Sequence, residues 1–133
     1  MRTLKKTSII SILMLLSLNF VLAAKGNIGS KNLENSEKTL LSAIESDNLG
    51  LSISSIQILG ELNLNSAVIP LMKILHNSDN TEIRIAASLA LYKISDKRGI
   101  YALKMAAKYD NSERVRKMCS NFYTQYLLEH KIT

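Results

Sequence analysis

Residues 78–94 read SDNTEIRIAASLALYKI, and residues 46–62 read SDNLGLSISSIQILGEL. The two stretches start thirty-two positions apart with the same Ser-Asp-Asn and then keep the same apolar rhythm. Laid over one another at that offset, residues 46–77 and 78–109 need no gap. They are identical at Ser46/Ser78, Asp47/Asp79, Asn48/Asn80, Ile53/Ile85, Leu59/Leu91 and Leu71/Leu103. Leu51/Ile83, Leu62/Ile94 and Val68/Ile100 add similar apolar pairs. The matches fall on polar punctuation and on apolar positions three and four apart, which is the spacing of one helix face.

A third copy opens at Asp110 and, in this reading, carries one extra residue before Val115. From there Val115, Cys119, Phe122, Tyr123 and Tyr126 take the places of Ile83, Ala87, Ala90, Leu91 and Ile94. Self-similarity at this period predicts helix pairs, each burying a face that only its neighbour can cover. The periodicity predicts helices over 33–46, 50–62, 66–76, 81–94, 98–108 and 112–129, joined by short polar turns. Asp79 and Asp110 each precede a Glu by three residues, which predicts that they cap the helices that follow, with Glu82 and Glu113 reaching back.

The stretch IRIAASLALYKISDKRGIYALKMAAKYDNSERVR, residues 83–116, resembles the short bacterial type of HEAT repeat. Ile83-Arg84 and Val115-Arg116 stand for its Val-Arg, Ala86-Ala87 for its paired alanines, and Asp96-Lys97-Arg98 for its turn. Ser66-Ala67-Val68-Ile69-Pro70-Leu71 matches the opening of a second helix, where a proline in the first turn leaves no hydrogen bond unmade. The resemblance spans about residues 46–129. It implies an all-α, right-handed α-solenoid of about two and a half HEAT-like helical hairpins. It also implies that Asp79, Arg84, Asp110 and Arg116 form a structural ladder between repeats. Ser52 stands where the first copy should carry Arg, so that end of the ladder is expected to be missing.

The chain opens MRTLKKTSIISILMLLSLNFVLAAKG, with a basic start at Arg2, Lys5 and Lys6 and no charge from Thr7 to Ala24. Small residues at Val21-Leu22-Ala23 or Leu22-Ala23-Ala24 complete the layout of a secretory signal peptide over residues 1–24. The alternative is an uncleaved inner-membrane anchor over residues 7–24. Residues 25–32, KGNIGSKN, read as a flexible linker, and residues 33–133 as the repeat domain. Export would place the protein in the periplasm or cell envelope.

The full chain has a formal net charge of +6. Without residues 1–24 it keeps fourteen Lys and Arg against eleven Asp and Glu. Residues 25–83 carry a net −3 and residues 84–133 a net +6, so the basic half suits an acidic protein or an anionic membrane surface. Export argues against nucleic acid as a partner. A single cysteine, Cys119, excludes an internal disulfide and a thiolate metal site. It aligns with Ala87 and reads as a small core residue.

No catalytic constellation emerges. His76 and His130 stand far apart, and neither a phosphate-binding glycine loop nor a Ser/His/Asp spacing is present. No cofactor or metal is expected. The second helices offer the candidate surface. Val68, Leu71, Ile74 and Leu75 make one apolar face of 66–76, leaving Ile69, Met72, Lys73 and His76 on the other side. Ile100, Leu103, Ala106 and Ala107 do the same in 98–108, leaving Tyr101, Lys104, Met105 and Lys108. Such arrays line their concave side with second helices, so these eight residues are the predicted partner-binding set. The function expected is an exported, non-catalytic scaffold or adaptor binding an acidic or amphipathic protein segment. The alternatives are a lyase-like or enzyme-assisting HEAT protein, or a peripheral binder of anionic membrane. Phe122, Tyr123 and Tyr126 are expected to cap the array, with Leu127 and Leu128 leaving a homodimer open.

Overall fold

The structure is a computed structural model that describes residues 29–131. The predicted signal segment, residues 1–24, and linker residues 25–28 lie outside the described residues. Residues 29–32, read from sequence as linker, are helical instead. The chain divides into two compact units, residues 1–36 and 37–133. The described part of the first is the opening of helix α1, Gly29–Ala43, where the Ser36 hydroxyl donates to the Asn32 carbonyl at 2.7 Å. The second unit holds the rest of α1 and five further helices.

Those helices are α2 (Leu49–Glu61), α3 (Val68–Asn77), α4 (Thr81–Ile94), α5 (Lys97–Tyr109) and α6 (Glu113–Glu129). A single 3-10 turn, Asn65–Ala67, leads into α3 and places Pro70 in its first turn. Among the described residues no strand occurs. Helices α2, α4 and α6 lie side by side as one layer, α3 and α5 as a second, and α4 touches all four of its neighbours. This is the stacked-hairpin architecture of an α-solenoid.

Each first-layer helix begins on a polar side chain that takes its free N–H groups. The Asn48 carboxamide oxygen accepts from Leu51 N at 3.0 Å, and that of Asn80 from Glu82 N and Ile83 N at 2.9 and 3.1 Å. Ser112 Oγ accepts from Val115 N at 3.4 Å. The predicted caps Asp79 and Asp110 are therefore displaced by their neighbours, because the cap must sit directly before the first helical residue. Glu82 turns outward to Arg114 instead of back to its own cap.

The residues before the caps correct the repeat register. The backbone N–H groups of Asn48, Asn80 and Ser112 donate to Ser46 Oγ, Ser78 Oγ and Asp110 Oδ1 at 3.1, 3.3 and 2.8 Å. Asp110 thus occupies the serine position rather than the aspartate position. The spacing stays thirty-two throughout, and the third copy carries no extra residue.

Small side chains set the spacing between first-layer helices. Ala87, Ala90 and Cys119 are buried, with Ile56, Leu59, Leu71, Leu91 and Leu103 filling the space between layers. Leu89 is only half-buried and takes no part in that cluster. At Gly60 the backbone of α2 comes close to α4: a Cβ there would lie 2.8 Å from Ala90 Cα and 2.9 Å from its Cβ.

A polar rung runs through the loops. The fourth residue of each first-layer helix donates to a carbonyl at the end of the preceding helix. Ser52 Oγ reaches Ile44 O at 2.8 Å, Arg84 Nη1 reaches Ser78 O at 2.7 Å, and Arg116 Nη1 reaches Asp110 O at 2.6 Å. Only Arg84 also reaches forward, with Nη2 3.1 Å from Asp110 Oδ1 and 3.0 Å from Asn111 Oδ1. Its side chain is 7% exposed and that of Asp110 9%, so the pair is shielded from water. Asp79 is exposed and makes no such contact among the described residues. With Ser52 in the arginine position, no residue is long enough to draw loop 78–80 toward α2.

Two stability predictions follow from these contacts. Helix propensity alone would favour Gly60→Ala by about 1 kcal/mol, yet the added methyl meets backbone. Net destabilisation of about 1–3 kcal/mol is expected in urea melts, whereas Gly50→Ala, with only Asn48 Oδ1 at 3.4 Å, should be neutral or stabilising. Asp110→Asn should cost about 3 kcal/mol by leaving the Arg84 cation buried without its counter-charge. Adding Arg84→Met should recover part of that loss, and strict additivity of the two substitutions would refute the coupling.

Candidate functional site: a groove between the second helices

Helices α3 and α5 are amphipathic, and their outer faces flank a cavity of about 640 Å³. Leu75, Ala102 and Ala106 form its floor, and Met72, Tyr101, Met105 and Tyr109 rise as its walls. The floor is low because alanine stands at two successive turns of α5. Tyr101, Met105 and Tyr109 recur at four-residue steps, which keeps them on one side of that helix. Tyr101 and Tyr109 are 61% and 64% exposed, far more than structural aromatic residues usually are.

One end of the groove is polar. His76, Asn77, Ser78 and Asp79 close it from α3, and Asp110 and Asn111 from α5, with Arg84 between the two loops. Arg84 holds the Ser78 carbonyl and the side chains of Asp110 and Asn111 at once, so this end is built before any partner arrives. Its Nε is buried and makes no hydrogen bond. The Asp110 charge is balanced by Arg84, which leaves the exposed Asp79 carboxylate as the free anion lining the groove.

The flanks carry cations. Lys104 Nζ lies 5.9 Å from the Tyr123 ring centroid, and Lys108 Nζ 4.9 Å from that of Tyr109. Neither meets a carboxylate among the described residues. Cation–π contacts at exposed positions contribute only about 0.5–1 kcal/mol, so both ammonium groups stay available to an incoming anion.

The eight residues singled out from sequence divide evenly. Met72, His76, Tyr101 and Met105 line the groove. Ile69, 55% exposed, Lys73, Lys104 and Lys108 lie outside it. Lys73 is 3.3 Å from Glu45 and borders a shallower hollow of about 270 Å³ with Ile44, Ile74 and Ile83, one repeat earlier. The sequence reading missed Tyr109 and the two-loop polar end. Tyr109 was detectable by continuing the four-residue step from Tyr101 and Met105. For the polar end the resemblance supplied Arg84 and Asp110 as a ladder between repeats, but not Asn111 or the Ser78 carbonyl that Arg84 also holds.

Other reactive groups serve the fold. Burial pushes the Cys119 thiol up to about 11, with the Ser88 hydroxyl pulling the other way, so it remains a protonated core group. Tyr92 donates to Glu129 at 2.6 Å and stacks on Phe122 with ring centroids 5.5 Å apart. That hydrogen bond raises the Tyr92 phenol and holds the Glu129 carboxyl below its ordinary value. His130 stacks on Tyr126 at 4.1 Å. The two Tyr92 contacts pin α6 against α4, and Phe122, Tyr123 and Tyr126 are partly buried against the core. Among the described residues no group of three His, Cys, Asp or Glu side chains is placed to hold a metal ion.

A family model described as HEAT repeats matches residues 26–120. No curated protein matches the chain. HEAT repeats are, as a type, protein-interaction scaffolds and generally non-catalytic. With helical hairpins stacked at a constant spacing, and most of its length covered by that match, this chain belongs to the HEAT-repeat family.

Proposed function

We propose that the protein is an exported, non-catalytic adaptor of the cell envelope whose α3/α5 groove holds an amphipathic, acidic segment of a partner protein. The single observation that carries this reading is the composition of the groove. An apolar trough walled by two methionines and two exposed tyrosines borders two lysines that no carboxylate neutralises. Methionine and tyrosine offer large, adaptable contact area at low conformational cost, which suits a protein segment better than a small polar substrate. The lysines along α5 select carboxylates on the segment's outer edge. Asp79 sets its direction, favouring a basic or N-terminal group at the loop end of the groove.

Export rests on the basic, apolar and small-residue succession of residues 1–24. No helix among the described residues is long and apolar enough to cross a membrane. Residues 7–24, the alternative anchor, lie outside the described residues.

A photo-crosslinking residue at Tyr101 or Met105 should trap a partner in cells, and the same group at Gln57 on the other layer should not. Peptide mapping of the adduct should return a segment with apolar residues at helical spacing flanked by Asp or Glu. The chain that carries the probe should begin at Ala24 or Lys25 and be found outside the cytoplasmic membrane. Equal trapping at Gln57 would remove the groove from the account, and an intact N-terminus on cytosolic protein would remove export.

A further inference from the structure

Among the described residues sulfur occurs at Met72, Met105, Met118 and Cys119. Cys119 is buried with its thiol protonated, so it offers an oxidant no thiolate. The thioethers are placed differently. No methionine is among the fully buried core residues, which are Ile, Leu, Val, Ala and Cys. Met72 and Met105 stand instead on the two sides of the α3/α5 groove, one from each helix. Met105 is exposed, and Met72 is half-buried with one side against the core. Met118 on α6 is half-buried and lines neither of the two hollows. The sulfur that an oxidant can reach is thus concentrated on the binding surface, outside the packing that holds the fold.

We propose that Met72 and Met105 are a paired oxidation site, at which hydrogen peroxide converts both thioethers to sulfoxides and so releases the segment held in the groove. The proposal rests on the reading of the groove as a binding surface. In each transfer the sulfur lone pair attacks one peroxide oxygen. An S–O bond forms as the O–O bond breaks, and sulfur is oxidised by two electrons. The departing hydroxide takes the proton from the transferred oxygen and leaves as water. A flexible apolar wall becomes a polar, chiral one. The floor of Leu75, Ala102 and Ala106 has no polar side chain to meet the new oxygen. An apolar group seated there must therefore strip water from the sulfoxide without replacing its hydrogen bond, and affinity falls about tenfold or more. Reductases specific for the two sulfoxide epimers return the thioether, so the change is reversible.

Peroxide titration of the protein, isolated as the cell processes it, tests this by peptide mass mapping and dye binding. Met105 and then the less open Met72 should gain oxygen, with helicity and melting temperature retained. The probe is anilinonaphthalene sulfonate, which joins apolar rings to one anion as the groove joins its trough to Lys104 and Lys108. It should bind the reduced protein, bind poorly to Ala106→Glu, whose carboxylate stands on the floor, and lose about tenfold in affinity on oxidation. Met72→Leu combined with Met105→Leu keeps apolar walls without sulfur and should hold the dye through the same treatment. Met118→Leu should lose it as the unaltered chain does, and the two reductases should restore binding. Dye that fails to bind the reduced protein, or that Ala106→Glu holds equally well, would remove the groove and the switch together. Dye excluded by Ala106→Glu yet indifferent to oxidation would overturn the switch alone. So would oxidation confined to Met118, unfolding once residues 72 and 105 are oxidised, or a peroxide effect that persists in the double leucine variant.

Discussion

The Arg84 guanidinium is the contact on which the rest of this small array depends. Stacked hairpins hold together mainly by nearest-neighbour burial, so each added unit is otherwise free to open on its own. Arg84 adds a polar bolt inside that stack. It satisfies a carbonyl left over at the end of α3 and also binds the loop that follows α5. The loop carbonyl would otherwise be desolvated without a partner, and the Asp110 carboxylate would be buried beside it. One side chain thus fixes the distance between the ends of the two helices that wall the groove.

That bolt explains why the groove occurs where it does. Between α1 and α3 the corresponding position is Ser52, which bonds backward to Ile44 but is too short to reach forward. The hollow there is the shallower one. Between α3 and α5 both loops are held, the alanines of α5 keep the floor open, and the tyrosines and methionines stand clear of it. A binding surface that is rigid before its partner arrives loses less conformational entropy on binding. Lys104 and Lys108 beside it meet no carboxylate among the described residues, and on the proposed reading they would select acidic segments.

Much of this was legible in the chain itself. The thirty-two-residue spacing, the apolar faces of the second helices and the resemblance of residues 83–116 to HEAT repeats sufficed for the stacked hairpins. They also separated the buried from the outward residues of α3 and α5. What failed was local. Asp79 and Asp110 looked alike beside their Asn and Glu neighbours, yet capping is decided by which residue directly precedes the first helical turn, and that residue is Asn80 in one copy and Ser112 in the other. Reading Asp110 as a copy of Asp79 forced a spurious insertion. The true correspondence, Asp110 with Ser78, was hidden because serine and aspartate do the same work there, accepting one backbone N–H. The groove's polar end was legible only in part: the resemblance set Arg84 and Asp110 in one ladder, but no local pattern encodes that the same side chain also holds the Ser78 carbonyl and Asn111 and so closes a groove.

Native-state hydrogen exchange tests the Arg84 bolt most directly. If it joins the two hairpins, amides in the middle of α3 (Met72–Leu75) and α5 (Leu103–Ala107) should exchange through one opening, with the same free energy and the same sensitivity to denaturant. If α3 instead opens at lower free energy while α5 and α6 remain protected, the hairpins are independent units, and the groove between them is not held in place as described.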